Sequence, residues 1–458
     1  MNVRLQRLLA AGQRGRLFAT LLVIMPFVAL LPRYLLIERM AEGSQSIVQV
    51  GFGFGGFVES LLSSGEFRSC APAPFPTCGE HQCQYATRMP AMPLLYAGLA
   101  KSVGEQSAAV AFAKCVLMAL MLAGLLAVLV GDMRPSALGV VLLYAIYLGP
   151  QALKHGSAIT YEEGMLLDLE LGLAVALAYF LRPALATSEM RQTLMGCVAL
   201  AIAVLMYFTK TTTLLILLVV LGILLSSERL GARMKAAALA FSVIPFLAWG
   251  AHVFATTGAL HFSSSWNGEN LFRGFNSASL AIYPQVSLDR TFDSERAVLE
   301  DGRSVALGSL AGPACFADEW AWDKFNTQRS LRWAETHPLD VLRFLGKKIE
   351  VAFFELRHTP YHVSATEKDQ EYPRPVTIAM AGWMGFARLL FFALVARLVV
   401  DLRGPRRREA LWTLALLAAA FAPYVAVFAY ERHLVPLLVM AAGLLVTQYF
   451  VQPKTATP

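Results

Sequence analysis

Ionisable side chains stand where a largely apolar chain can least accommodate them. Lys154, His155, Glu162 and Glu163 gather in one stretch, and Asp168 and Glu170 follow them into an apolar run. Lys210 sits in Phe208-Thr209-Lys210-Thr211-Thr212-Thr213, and Glu431, Arg432 and His433 open the last apolar segment. Charged groups at membrane depth are costly and mark substrate paths, proton relays or reaction sites unless they pair with one another. Asp168 and Glu170, deeper in their segment and with Glu170 two turns below Glu163 on one face, read as bundle salt bridges. The clusters at the segment mouths read as functional, because a cavity there meets both lipid and water.

The elements that position these groups follow from composition. Hydrophobic residues make up 56% of the 458-residue chain and charged residues only 16%. That balance excludes a soluble domain of this length. Apolar runs near 17–37, 107–130, 136–153, 162–181, 192–209, 211–227, 236–256, 375–400, 409–430 and 434–452 are each about long enough to cross ~30 Å of hydrocarbon as a helix. Weak period-2 alternation argues against a barrel, so the expected fold is an all-α polytopic bundle of about ten spans. Its parts are an N-terminal transmembrane module (1–256) containing a first polar loop (about 38–106), a second polar region (257–373), and C-terminal spans (374–458).

Orientation is expected from the short hinges. Arg4, Arg7, Arg14 and Arg16 precede the first span. Arg134, then Arg182 and Arg191, then Arg229, Arg233 and Lys235, then Arg403, Arg406, Arg407 and Arg408 occupy every second hinge. Both termini should then be cytoplasmic and both long loops outside. In a bacterial inner membrane, outside is the periplasm. The net charge of +7 records this topology rather than nucleic-acid binding. The first apolar run contains Pro26 and Pro32 and no small-residue cleavage site follows it, so it reads as a retained helix.

Of six cysteines, Cys115 and Cys197 fall in apolar runs, while Cys70, Cys78, Cys83 and Cys315 fall in the two loops. An oxidising compartment makes disulfides the expected use of these four, with at least one local staple. A zinc site using His81 between Cys78 and Cys83 is the sharper but less favoured alternative. Gly51 to Phe57, rich in Gly and Phe, leads into Val58, Leu61 and Leu62 at helical spacing toward Gly65, predicting an interfacial helix. His337-Pro338 starts a second, with Val341, Leu342, Leu345, Ile349, Ala352 and Phe353 on one face and Arg343, Lys347 and Lys348 interleaved. Membrane lipids are thus expected partners, and that second helix reads first as an anchor.

Several motifs in order resemble the GT-C superfamily of polyprenyl-phosphate-sugar glycosyltransferases, which includes protein O-mannosyltransferases and aminoarabinose transferases. They are Arg88-Met89-Pro90-Ala91-Met92-Pro93, Thr160-Tyr161-Glu162-Glu163, Thr209-Lys210-Thr211, the stretch from Gly258 to Phe272, His337-Pro338, and Glu431-Arg432-His433-Leu434-Val435-Pro436. The resemblance implies transfer of a sugar from a polyprenyl-phosphate donor to a glycan, lipid or protein acceptor at the outer membrane face. It implies cations on the departing phosphate, for which Arg88, Lys210, Arg432, His433 and Lys154 are the candidates. It also implies a carboxylate base. Relatives place an aspartate about fourteen residues before the glycine matching Gly65, but that register lands on Gly51, and no aspartate occurs between Met1 and Gly65. Glu59 is then the first candidate base, followed by Glu162 and Glu163. Asp318, Glu319 and Asp323 could hold a divalent cation, and no other cofactor is implied. A lipid-glycan transporter or flippase, and an O-antigen ligase or polymerase, are the alternatives. The long first loop and the absence of an evident repeat between the halves favour the transferase.

Overall fold

A computed structural model describes residues 3–50, 54–70, 77–78, 83–182, 189–284, 288, 296–298, 304–306, 315–354, 373–427 and 430–453. The protein is a helical membrane bundle. Eight helical stretches among these residues are long and apolar enough to cross a bilayer. The first, Gly15–Arg39, joins α1 (Val3–Val28) and α2 (Leu30–Arg39). After the short outer helices α3 (Gly55–Ser63) and α4 (Ala91–Val103) comes α5 (Ser107–Asp132). The expected span at 136–153 is instead two helices, α6 (Ala137–Tyr147) and α7 (Pro150–Gly156), bent by 55°. Pro150 at the first turn of α7, after Gly149, breaks the run. Then follow α8 (Glu163–Leu181) and α9 (Glu189–Thr209), and the expected span at 211–227 appears as a 3₁₀ turn, Thr211–Thr213, leading into α10 (Leu214–Leu225). The chain continues as α11 (Ala232–Thr257), α12 (Asn267–Gly274), α13 (Ser277–Ile282), α14 (Glu319–Thr336), α15 (Pro338–Phe353), α16 (Arg374–Asp401), α17 (Arg407–Ala426) and α18 (Glu431–Tyr449).

The two innermost helices, α8 and α18, are buried along nearly their whole length and pack on each other. Apolar residues all round are what a helix without a lipid-facing side requires. Gly443 on α18 meets Leu171 and Ala174 of α8, leaving no room for a side chain. The other spans leave large apolar side chains such as Leu120, Val141 and Leu389 exposed, as a lipid-facing rim does.

The basic hinges converge on one end. Strand β1 (Met133–Pro135) pairs antiparallel with a strand at 451–453, so the Arg134 hinge lies beside the last described residues. Arg182 donates to the Val451 carbonyl at 2.8 Å, Arg191 pairs with Asp132 at 2.6 Å, and Arg229 donates to the Phe180 carbonyl at 3.1 Å. At the opposite end the two polar regions form one cap. Cys78–Cys315 is a disulfide across them and Cys70–Cys83 is the local staple, so neither Cys78 nor Cys83 is a free thiolate for zinc. His81 lies outside the described residues. Glu319, at the start of α14, accepts from the Tyr85 and Ala86 amides, both at 3.1 Å, and from the Ser265 hydroxyl at 2.9 Å. Burial raises its pKa, and those three donors act against the rise.

Helix α3 forms as expected and closes toward Gly65, whose φ of 76° suits glycine. Of the Gly/Phe run before it, Gly51 to Gly53 lie outside the described residues. Helix α15 also forms, but with a different face inward: Phe344, Lys348, Val351 and Ala352 are buried, whereas Leu339, Leu342 and Ile349 are exposed. Lys348, expected among headgroups, donates instead to the Gly274 and Ala426 carbonyls at 2.8 and 2.9 Å, between the Phe275 and Phe344 rings. Helix ends leave carbonyls without partners, and a buried ammonium satisfies two of them here.

Candidate functional site

The centre of the site is the start of α8. Its first residue, Glu163, is 1% exposed. Gly164 lets this end approach the preceding turn, since a side chain there would meet the His155 carbonyl and the Lys114 amine, each at 3.0 Å. Lys210 follows α9 in extended conformation, and the Thr213 hydroxyl donates to its carbonyl at 2.9 Å. The threonine run therefore stops the helix and presents the lysine to the mouth, because such side chains offer the backbone a local alternative to helix. Arg432 and His433 lie in the first turn of α18, which begins beside α8.

Two cations, Lys210 and Arg432, and the His433 imidazole meet one carboxylate. Lys210 is ion-paired with Glu163; His433 Nε2 lies 3.3 Å and Arg432 Nε 3.9 Å from the same oxygen, Oε1. Arg432 Nε donates to His433 Nε2 at 3.0 Å. Aromatic rings form the walls: Lys210 lies over Tyr424, which also stacks on His433, and Arg432 lies over Tyr161. Two like charges about 5 Å apart repel by roughly 3 kcal/mol at an effective dielectric of about 20, so this arrangement needs an anion at its centre. The starts of α8 and α18 add the positive ends of two helix dipoles.

Arg88 reaches the same region from the first polar loop. Its guanidinium stacks between Phe54 and Trp266, and Nη1 lies 3.5 Å from Glu162. Burial lowers its pKa, and Glu162 opposes that fall. Its electrostatic neighbours include Arg432, Glu269 and Arg273, which ties it to the Glu163 cluster on one side and to α12 on the other. On α12, Glu269 and Arg273 are ion-paired one turn apart. Thr211 donates to Asn267 at 3.0 Å, linking the turn after Lys210 to the same helix. His155 Nε2 lies 3.2 Å from Glu431, and Lys154 is buried next to His155 in α7.

The structure therefore brings Arg88, Glu162, Glu163, Lys210, Arg432 and His433 together. Glu59 is exposed on α3 and makes no ion pair among the described residues. Asp168 is a structural lock: Arg33 grips both its oxygens at 2.8 and 3.0 Å and the Tyr147 hydroxyl donates at 2.6 Å. Glu170, read alongside it as a salt bridge, has a buried Oε2 with no hydrogen-bond partner among the described residues. Asp318 caps α14, Glu319 holds the two polar regions together, and Asp323 accepts from the Gly268 amide at 2.6 Å, its pKa raised by burial to about 6. These three carboxylates are thus spent separately, and no group of three His, Cys, Asp or Glu side chains suited to a metal ion occurs among the described residues.

Tyr161, Trp266 and Glu269 lie within the motifs at 160–163 and 258–272 but carry no assigned role there, and Arg273 and Tyr424 lie outside every motif. The Glu269–Arg273 pair had a legible signal, opposite charges four apart on a short helix. The aromatic walls had none, because rings at a site and rings in a core share the same spacing. No protein-family model, curated protein or solved structure matches this chain.

Proposed function

We propose that this protein is an integral-membrane glycosyltransferase that moves a sugar from a polyprenyl-phosphate carrier to an acceptor hydroxyl. Its working face is the one opposite the basic hinges, periplasmic in a bacterial inner membrane. One observation carries the reading: Lys210, Arg432 and His433 converge at the mouth of the two central helices, beneath polar regions joined by the Cys78–Cys315 disulfide. A carrier lipid cannot leave the bilayer, so its phosphate must be met at such a mouth, where lipid and water are both within reach.

In this reading Lys210, Arg432 and His433 hold the phosphate, and Arg88 approaches it from the cap. Arginine supplies paired donors and lysine a point charge. Lys154 adds positive potential from α7. The anomeric carbon–oxygen bond to phosphate breaks, the acceptor oxygen bonds to that carbon, and the phosphate leaves as a monoester on the polyprenyl chain. Cations already in position favour the charge that accumulates there. The acceptor's proton passes to a carboxylate, and Glu162 suits that role better than Glu59. It lies in the cluster, its side chain making among the described residues only a long contact to Arg88, whereas Glu59 is exposed.

Mass spectrometry of lipid-linked sugars and envelope glycans, with and without the gene, tests the reading. One polyprenyl-phosphate-linked sugar should accumulate on deletion while its sugar disappears from a glycan, lipid or protein. Identical pools in both strains would defeat it.

A further inference from the structure

Glu163 was a candidate base, yet its surroundings fit another task. Three basic side chains from two elements other than its own helix, the Lys210 and Arg432 cations and the His433 imidazole, lie against one of its oxygens, Oε1. The second oxygen, Oε2, is buried and has no hydrogen-bond partner among the described residues. A carboxylate crowded by cations holds its negative charge and accepts a proton poorly. A carboxylate present only to tie helices together would be expected to engage both oxygens, as Asp168 does with Arg33 and Tyr147. Glu163 instead presents one oxygen to two cations and an imidazole, which is how one phosphate oxygen would be received.

We infer that Glu163 is a placeholder for the donor's phosphate: its Oε1 holds Lys210, Arg432 and His433 in their receiving positions and gives them up when a phosphate oxygen arrives. The inference rests on the function proposed above and assigns Glu163 a positioning role. An empty cluster of like charges would spread apart or take up an adventitious anion, and a tethered carboxylate prevents both. The same carboxylate competes with ligand, so it lowers affinity for the spent carrier as well as for the donor. It thereby helps the product polyprenyl phosphate to leave. Glu163 is the first residue of α8, where fewer backbone bonds fix the chain, so its side chain can swing without disturbing the span.

The experiment is a titration of undecaprenyl phosphate into the full-length protein in nanodiscs, for wild type, Glu163→Gln, Glu163→Asp and Arg432→Gln. Glutamine keeps the shape and removes the charge. The expected result is that Glu163→Gln binds the lipid phosphate about ten-fold tighter than wild type, Glu163→Asp stays close to wild type, and Arg432→Gln binds at least ten-fold more weakly. In turnover, Glu163→Gln should lower KM and kcat together, because the product leaves more slowly. A merely structural Glu163 would give weaker binding with a lowered Tm, and a general base would give lost kcat at unchanged affinity. Either result, or unchanged affinity, overturns the placeholder while leaving the function intact if wild type binds and Arg432→Gln does not. Failure of both wild type and Glu163→Gln to bind overturns the placeholder and the proposed phosphate site together.

Discussion

Cys78 and Cys315, 237 positions apart, form a disulfide that joins the first polar loop to the second. The pairing runs beside a backbone bridge from Thr77 to Phe316, with the Cys78 amide donating to the Phe316 carbonyl at 3.1 Å. Arg88 of the first loop and Arg273 of the second polar region consequently belong to one cap over Glu163. Peptide mapping without reductant should recover 78 linked to 315 and 70 linked to 83. Cys78→Ser should destabilise the protein by about 2–4 kcal/mol, the usual worth of such a bond, read as a lower Tm.

Asp168 and Arg33 are buried together, so removing one charge strands the other. Asp168→Asn should destabilise the bundle by about 3–5 kcal/mol in thermal unfolding. Replacing both residues with apolar ones of similar volume should recover much of that loss. If the single variant unfolds at the wild-type temperature, the lock between α2 and α8 carries no weight.

Lys348 makes stability depend on pH in a direction unusual for lysine. Burial pulls its pKa from 10.5 down to about 7, so between those values the unfolded chain carries a proton that the folded chain lacks. The unfolded state then binds more protons, and stability rises with pH across that window. Below about 7 both states are protonated and the penalty for burying the ammonium is fully present. Thermal melts from pH 6.5 to 10 should show this rise in wild type and a flatter profile in Lys348→Met.

The transmembrane part was legible because long apolar runs have few physical outcomes in lipid, and the arginine hinges do meet at one end through contacts such as Arg182 with Val451. The break at Gly149-Pro150 was written in the dipeptide but hidden by the hydropathy of the residues around it. Lys348 was misplaced because amphipathic spacing says which residues share a face, not which face finds a protein partner. The pairing of Cys78 with Cys315 depends on how two distant segments fold over each other, which local spacing does not encode. At the site, cations at the span mouths could be named in advance. Their convergence on Glu163 arises only when α8, the end of α9 and α18 are packed.

Glu59 and Glu162 are separated by a pair of isosteric variants. Glu162→Gln should slow transfer by roughly 10²–10⁴, the usual contribution of a general base, and Glu59→Gln should stay within a few-fold of wild type. The reverse ranking would return the base to α3.

Arg88 should act on the leaving phosphate without holding the bundle together, since its ring partners Phe54 and Trp266 belong to the cap. Arg88→Ala should reduce transfer by roughly 10²–10³ at unchanged membrane abundance, as expected for loss of one charged donor to the leaving group. Equal rates per molecule would remove it from the phosphate site.

The most direct measurement is the rate per molecule at which membranes carrying Lys210→Ala consume the lipid-linked sugar that accumulates without the gene. That rate should fall at least about 10²-fold with normal membrane insertion, because the lysine facing Glu163 is lost from the phosphate's receiving position. Consumption at the wild-type rate would contradict it.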